Sequence, residues 1–265
     1  MIIQVINQIT TDSSKPVSLD RGGLFGDGFF TTGIIVEHQF CHQKLHYDRL
    51  VKSAQKLQFT DFTLSAIENN IVELCQKHQN AGIRISISRR QTQRGYAISP
   101  RAEYDCTIHL SDLTDAPIEF CELIDANTSV SYNKDLAGIK HLNRLDSVLA
   151  ASEVLTKHQE VLMYHEDLVI CGSRSNLFIN IDDVWLTPKL DRCGIEGITR
   201  RRVLKMFKQQ QIKHQITSID RALLDQASDA FVTNSLIGIW PAKSINGRAL
   251  HNKDSNHFKK LVTRK

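Results

Sequence analysis

Gly138-Ile139-Lys140-His141-Leu142-Asn143-Arg144-Leu145-Asp146 is the stretch on which the fold of this chain turns. It puts one lysine, Lys140, where a polar loop meets a helix-like run. Ile139 and Leu142 flank it, and the basic runs of the chain lie elsewhere. A lysine held at a fixed junction can lose its proton, condense with an aldehyde and shuttle protons. An isolated lysine is ordinarily a solvated surface charge. The surrounding sequence therefore has to supply the rest of a site.

Immediately downstream, Leu145, Val148, Leu149, Ser152 and Leu155 recur at helical spacing and predict a helix over 145–155. Hairpins follow at 161–164 with 168–170, around His165-Glu166-Asp167, and at 177–181 with 184–186. A basic helix is predicted over 198–209, and strands over 229–232 and 243–245. Upstream, 121–130 reads as a strand, and the polar run Asp112 to Pro117 reads as a linker. Before it come strands at 1–10, 29–36, 83–88 and 106–110, and helices at 47–57 and 64–78. A glycine-containing loop is expected from Lys15 to Gly28. Helices and strands are mixed in both halves, which predicts an α+β or α/β protein of two domains, 1–113 and 118–265. In this division Lys140 falls in the second domain.

The chain has 265 residues, 41% of them hydrophobic, enough for a sizeable core. A net charge of +4 is too weak to argue for nucleic acid, but it suits an anionic ligand. The six cysteines, Cys41, Cys75, Cys106, Cys121, Cys171 and Cys193, form no CxxC pair and read as thiols in a reducing compartment. Met1 to Val5 reads as a strand rather than a signal peptide, and no apolar run approaches a membrane span. A cytoplasmic protein with no nucleic-acid or membrane partner is expected. The eleven histidines show no metal-ligand spacing. GxSxG, Walker and GxGxxG motifs are missing, so the chemistries that need them lose ground.

Four other segments could carry chemistry. Gly194-Ile195-Glu196-Gly197-Ile198-Thr199-Arg200 runs glycines into a helix start, where backbone N–H groups and a hydroxyl can bind an anion, or where Thr199 simply caps. Thr233-Asn234-Ser235-Leu236 ends a strand in small polar side chains, as a phosphate site or a polar turn would. Arg49, in Leu45-His46-Tyr47-Asp48-Arg49-Leu50, can face an anion or pair with Asp48. Arg94-Gly95-Tyr96, beyond Ser88-Arg89-Arg90, offers two candidate carboxylate binders or a solvated loop tip.

Taken together, these segments resemble the pyridoxal-phosphate enzymes of the branched-chain aminotransferase superfamily, fold type IV. The resemblance covers nearly the whole chain in order. It adds Asp20-Arg21-Gly22-Gly23-Leu24-Phe25-Gly26-Asp27-Gly28-Phe29-Phe30, Ser175-Asn176-Leu177-Phe178, Leu186-Thr187-Pro188 and the run from Thr233 to Trp240 to the segments above. Within the superfamily, Gly138 to Leu145 with Arg94-Gly95-Tyr96 is most similar to the 4-amino-4-deoxychorismate lyases, which make 4-aminobenzoate and pyruvate on the folate pathway.

The resemblance implies a two-domain enzyme with pyridoxal 5'-phosphate between the domains. It implies that Lys140 binds the cofactor covalently. Arg49, Ile198, Thr199 and Ser235 would hold its phosphate, with Asn234 placed to help. Phe30, Arg94 and Tyr96 would form the substrate pocket. In relatives the 94–96 loop reaches the site from the partner subunit, so a homodimer acting on a small anionic substrate is implied.

One position departs from the pattern. Relatives carry a glutamate five residues before the Asn of Asn-Leu-Phe, against the cofactor's ring nitrogen; here Cys171 stands there and Glu166 does not match. A thiol is a weak donor and a poor proton holder. Elimination that aromatises its product tolerates this better than transamination does. An aminotransferase acting on D-amino or branched-chain amino acids, and a divergent, weakly active or regulatory cofactor binder, stay open at this point.

Overall fold

The computed structural model describes residues 2–6, 21–90, 95–98, 103–113, 119–251 and 253–262. Arg94 lies outside them, as does most of the expected linker. The chain forms two compact units. The first holds the described residues up to 113 together with Ile139–Asn143, and the second holds 119–138 and 144–262. Lys140 thus belongs to the first unit, against the expectation from chain order. The cause is backbone hydrogen bonding, described below.

The first unit contains, in order, β1 (Ile2–Ile6), α1 (Arg21–Phe25), β2 (Gly28–Val36), β3 (Gln39–Phe40), α2 (Gln43–Lys56), α3 (Ser65–Lys77), β4 (Asn80–Arg89) and β5 (Tyr104–Ser111). Its sheet runs β1-β5-β4-β2-β3, antiparallel throughout. Strict alternation in β4 buries Ile83, Ile85 and Ile87 on one face, where Phe29, Ile108, Leu50, Ile71 and Leu74 meet them. Each such side chain contributes roughly 1.5–3 kcal/mol of apolar transfer. β4 covers one edge of β2 along its whole length, from Gly28 opposite Ser88 to Val36 opposite Asn80. On the other edge, β3 takes only Ile35 and Val36. This leaves the start of β2 for Ile139–Asn143.

The second unit contains β6 (Cys121–Asp125), α4 (Leu145–Ser152), β7 (Gln159–His165), β8 (Leu168–Gly172), β9 (Asn176–Ile181), β10 (Val184–Pro188), α5 (Ile198–Gln209), β11 (His214–Thr217), α6 (Arg221–Leu224), β12 (Asp229–Asn234), β13 (Gly238–Ile245), β14 (Arg248–Ala249) and α7 (Lys253–Leu261). Its sheet is ordered β11-β10-β9-β12-β13-β6-β7-β8, with β14 on β13. Successive residues face opposite sides. Leu177 and Ile179 enter a core with Leu123, Leu162 and Val232, while Phe178 enters one with Phe231, Trp185, Phe207 and Phe258 beneath α5 and α7.

Expectations for single elements are also revised, and the helix expected over 145–155 ends at Ser152. The strand expected over 121–130 ends at Asp125, because the Glu153 carboxylate captures the amides of Asn127 (2.6 Å) and Thr128 (2.9 Å) and turns the chain. The loop expected up to Gly28 contains the short helix α1. No helix among the described residues is long and apolar enough to cross a membrane.

Candidate active site

Lys140 sits on an extended segment paired with the start of β2, ahead of the helix rather than in its first turn. Phe30 N donates to Lys140 O (2.8 Å), Leu142 N donates to Gly28 O (2.9 Å), and Phe29 and His141 form an antiparallel bridge. Gly28 is needed for this approach. A Cβ there would lie 2.2 Å from Ile87 O and 2.6 Å from Leu142 Cδ1. The lysine backbone is therefore fixed by a sheet, while its side chain is half-buried. Its Nζ lies 4.5 Å from the centre of the buried Phe30 ring, and the Arg84 guanidinium carbon lies 3.8 Å from the same ring. Lys140 and Phe30, two of the residues singled out in sequence, come together here. Arg84 carried no signal that would have selected it.

Arg49 projects from α2 and is buried. Its Nη1 donates to Thr31 Oγ1 (3.4 Å), and that hydroxyl is 2.6 Å from His46 Nδ1. Burial above all, then the Arg49 and His42 charges, hold the His46 ring well below its ordinary value of 6.5. A neutral imidazole can take part in the Thr31 contact without adding a second cation beside Arg49. The folded pKa lies below the unfolded one, so unfolded chains take up the proton first as the medium is acidified. Stability is expected to fall as pH drops below about 6.5. Thermal melts of the wild type and His46→Gln across pH 5–8 check this, the variant losing the His46 part of that slope.

The second unit supplies an anion-type site at the start of α5. Gly197 is the N-cap, and Ile198 and Thr199 open the helix, where the first N–H groups lack intrahelical acceptors. Asn176 organises the approach, accepting from Gly197 N (3.0 Å) and donating to Ile195 O (2.8 Å). Thr199 Oγ1 donates to Asn234 O (2.9 Å), which joins the helix start to the end of β12. The Thr199 proton is therefore engaged within the protein rather than turned to a ligand. Asn234 Oδ1 accepts from Leu236 N (2.9 Å) and Ile237 N (2.8 Å), so this side chain shapes the turn that presents the half-buried Ser235. Thr233 Oγ1, one residue earlier, is buried and has no hydrogen-bond partner among the described residues.

Cys171 lies on β8, opposite Met163, where one extra residue bulges the strand. It packs against Val161, Met163, Ile170 and Cys193. Burial first, then Cys193, push its thiol up to about 12, with Asp146 and Glu160 adding and Arg144 opposing. The thiol is accordingly neutral across the working range of most enzymes. Tyr96 lies on an exposed loop, its ring 5.0 Å from that of Phe25.

The family model for amino-transferase class IV matches residues 28–245. The chain belongs to this family. Its members are pyridoxal-phosphate enzymes, and pyridoxal 5'-phosphate is the cofactor of this chain. The chain is 28% identical over 254 residues to the aminodeoxychorismate lyase of Vibrio harveyi, covering 92% of each. It is 24% identical over 245 residues to a D-alanine aminotransferase of Staphylococcus epidermidis, covering 90% of this chain and 86% of that one. The solved 4-amino-4-deoxychorismate lyase of Pseudomonas aeruginosa superposes with a TM-score of 0.90 at 24% identity, over 97% of both chains, which shows the fold type IV architecture.

The residues present fit such a cofactor. The first unit offers an amine on a rigid segment and a buried guanidinium. The second offers a helix start and the buried Thr233 hydroxyl, which has no partner among the described residues. Both offers match the chemistry of an aldehyde bearing a phosphate monoester. Sequence reasoning passed over Thr31 and quoted Asn176 only as part of a motif; both gain these roles through tertiary contacts, Thr31 with α2 and Asn176 with the approach to α5.

Proposed function

We propose that this chain is a lyase that converts 4-amino-4-deoxychorismate to 4-aminobenzoate and pyruvate, in folate biosynthesis. The observation that carries the reading is the end-to-end relationship to the Vibrio harveyi aminodeoxychorismate lyase, with Lys140 held on a sheet edge against Phe30. In this reading Lys140 binds the cofactor. Arg49, the Ile198 and Thr199 backbone and Ser235 hold its phosphate, with Asn234 setting the Ser235 turn. Phe30, Arg94 and Tyr96 contact the substrate.

When bound, the cofactor supplies an electron sink. Lys140 Nζ, as a neutral amine, takes the proton from the substrate carbon that bears nitrogen. The bond from the ring to the enolpyruvyl oxygen breaks, the enolpyruvate that leaves takes up the proton held on Lys140 Nζ and becomes pyruvate, and aromatisation of the ring drives the step. A positioned base of this kind contributes about 10²–10⁴-fold. Cys171 is a neutral thiol where relatives carry a glutamate. It would keep the cofactor's ring nitrogen less firmly protonated than a carboxylate would, which a reaction driven by aromatisation withstands.

The second reading is an aminotransferase, favoured by the D-alanine aminotransferase relatives. Pyruvate release from aminodeoxychorismate decides between the two. The lyase gives stoichiometric pyruvate and 4-aminobenzoate. An aminotransferase instead converts the loaded cofactor to its amine form when mixed with D-alanine or a branched-chain amino acid.

We further propose that the enzyme is a cytoplasmic homodimer. The α4 face read from sequence as apolar is exposed in the single chain, with Leu145 at 65%, Val148 at 61% and Leu149 at 51%; only Ala150 of that helix is buried. Exposed apolar rows of this kind mark association surfaces. The double substitution Val148→Asp with Leu149→Asp is expected to turn a dimer into a monomer in analytical ultracentrifugation without lowering helix content.

A further inference from the structure

Arg21 is nearly inaccessible, at 4% exposure, yet it serves no apolar core. Its Nη1 donates to Gly95 O (3.0 Å) and Ala97 O (3.3 Å), and its Nη2 donates to Tyr96 O (2.9 Å). One guanidinium thus captures three successive carbonyls from a segment more than seventy residues away in sequence. Its remaining Nε donates to Asp27 Oδ2 (2.8 Å). The same oxygen accepts from Arg89 Nε (3.1 Å), and Arg89 is tied to Leu57 O (2.6 Å) and Gln58 O (3.2 Å). The series runs from the end of α2 through Arg89, Asp27 and Arg21 to the loop.

What this series holds in place is an exposed side chain. Tyr96 is 82% accessible and touches Phe25, over whose ring the Arg21 guanidinium carbon lies at 5.1 Å. Burying a cation carries a large desolvation cost, and an apolar replacement is often as stable or more so. A surface loop gains no core from being fixed. The arrangement makes sense where the direction of an exposed group matters, because a recognition group fixed in advance loses less entropy when it meets its ligand. Only arginine has the planar fork to serve three carbonyls and a carboxylate at once.

We propose that Arg21 is a positioning residue that locks the Gly95–Ala97 loop, and thereby sets the affinity of Tyr96 for a carboxylate-bearing substrate. The substrate part rests on the reading above that places Tyr96 in the pocket. Arg21→Lys keeps a cation beside Asp27 but cannot reach all three carbonyls. In the cofactor-loaded variant, the backbone NMR order parameters of residues 95–97 are expected to fall from about 0.85 to below about 0.6, with those of β4 and β5 unchanged. KM for aminodeoxychorismate is expected to rise between about tenfold and about hundredfold while kcat stays within about threefold. Tyr96→Ala should raise KM similarly, and the double variant should be no worse than either single one.

A folded Arg21→Lys protein with unchanged loop order parameters overturns the lock. A KM effect that adds fully to that of Tyr96→Ala overturns the route through Tyr96. If the variant fails to fold, the order parameters of the wild-type holoenzyme decide the lock, since values below about 0.6 at 95–97 refute it. If the wild type releases no pyruvate, the substrate assignment falls while the relaxation measurement still stands.

Discussion

Lys140→Ala is expected to lower turnover by at least about 10⁴-fold, because under the proposed function it removes the proton-transferring base and the covalent anchor together. The geometry makes this a chemical loss rather than a structural one. The contacts that dock the segment on β2 run from the Phe30 amide to the Lys140 carbonyl and from the Leu142 amide to the Gly28 carbonyl, and alanine keeps both. The side chain is half-buried, its Nζ over the Phe30 ring, so truncation opens no large cavity. The melting temperature of the cofactor-free variant should stay within a few degrees of the wild type. The visible absorbance of lysine-bound cofactor should vanish, and borohydride reduction followed by peptide mapping should label the 138–145 segment only in the wild type. A label on another lysine in the wild type, or substantial turnover by the variant, contradicts the assignment.

Lys140 was legible in sequence because a single motif carries it, but its surroundings were not. The same residues, read as the approach to a helix, are in fact a short strand partner for β2. A hydrogen bond from Phe30 to a carbonyl 110 positions later leaves no mark on local periodicity. The helix α5 was predicted to the residue, 198–209, because its glycine entry and apolar spacing are local. The start of α7 is set from far away, where Asp229 Oδ2 accepts from the amides of Asp254 and Ser255 (3.1 Å each). The carboxylate lies on β12, 25 positions before Asp254 in sequence, so local spacing does not show this contact.

The candidate residues of each unit show the same division. Arg49, Thr199 and Cys171 stood out by residue type and motif. Thr31 and Asn176, which orient Arg49 and the α5 start, gain their roles only through tertiary contacts. The thiol at Cys171 was legible as a substitution, whereas its neutrality comes from burial and from Cys193, Asp146 and Glu160 around it.

Gly197→Ala is expected to damage both stability and cofactor binding through one contact. A Cβ at this position would lie 2.0 Å from Asn176 Oδ1 and 3.2 Å from its Cγ. The glycine backbone is extended, at φ −66° and ψ 143°, so alanine is excluded by lack of space and not by torsional preference. Asn176 has no room to yield. It is 5% exposed, begins β9, pairs with Thr233 of β12, and bonds on either side to Ile195 O and Gly197 N. Moving it gives up two buried hydrogen bonds, worth about 1 kcal/mol each. Overpacking adds about 1–3 kcal/mol. The expected loss of folding stability is therefore about 3–5 kcal/mol. The displaced α5 start also carries the Ile198 and Thr199 amides and the Thr199 bond to Asn234, so the dissociation constant for pyridoxal phosphate should rise by about tenfold or more. Chemical denaturation of the cofactor-free protein reads the first effect and fluorescence titration with cofactor reads the second. Gly197→Ala combined with Asn176→Gly separates the two causes. It clears the clash without restoring the bonds, so it should recover the overpacking part of the stability and leave the weakened cofactor binding in place.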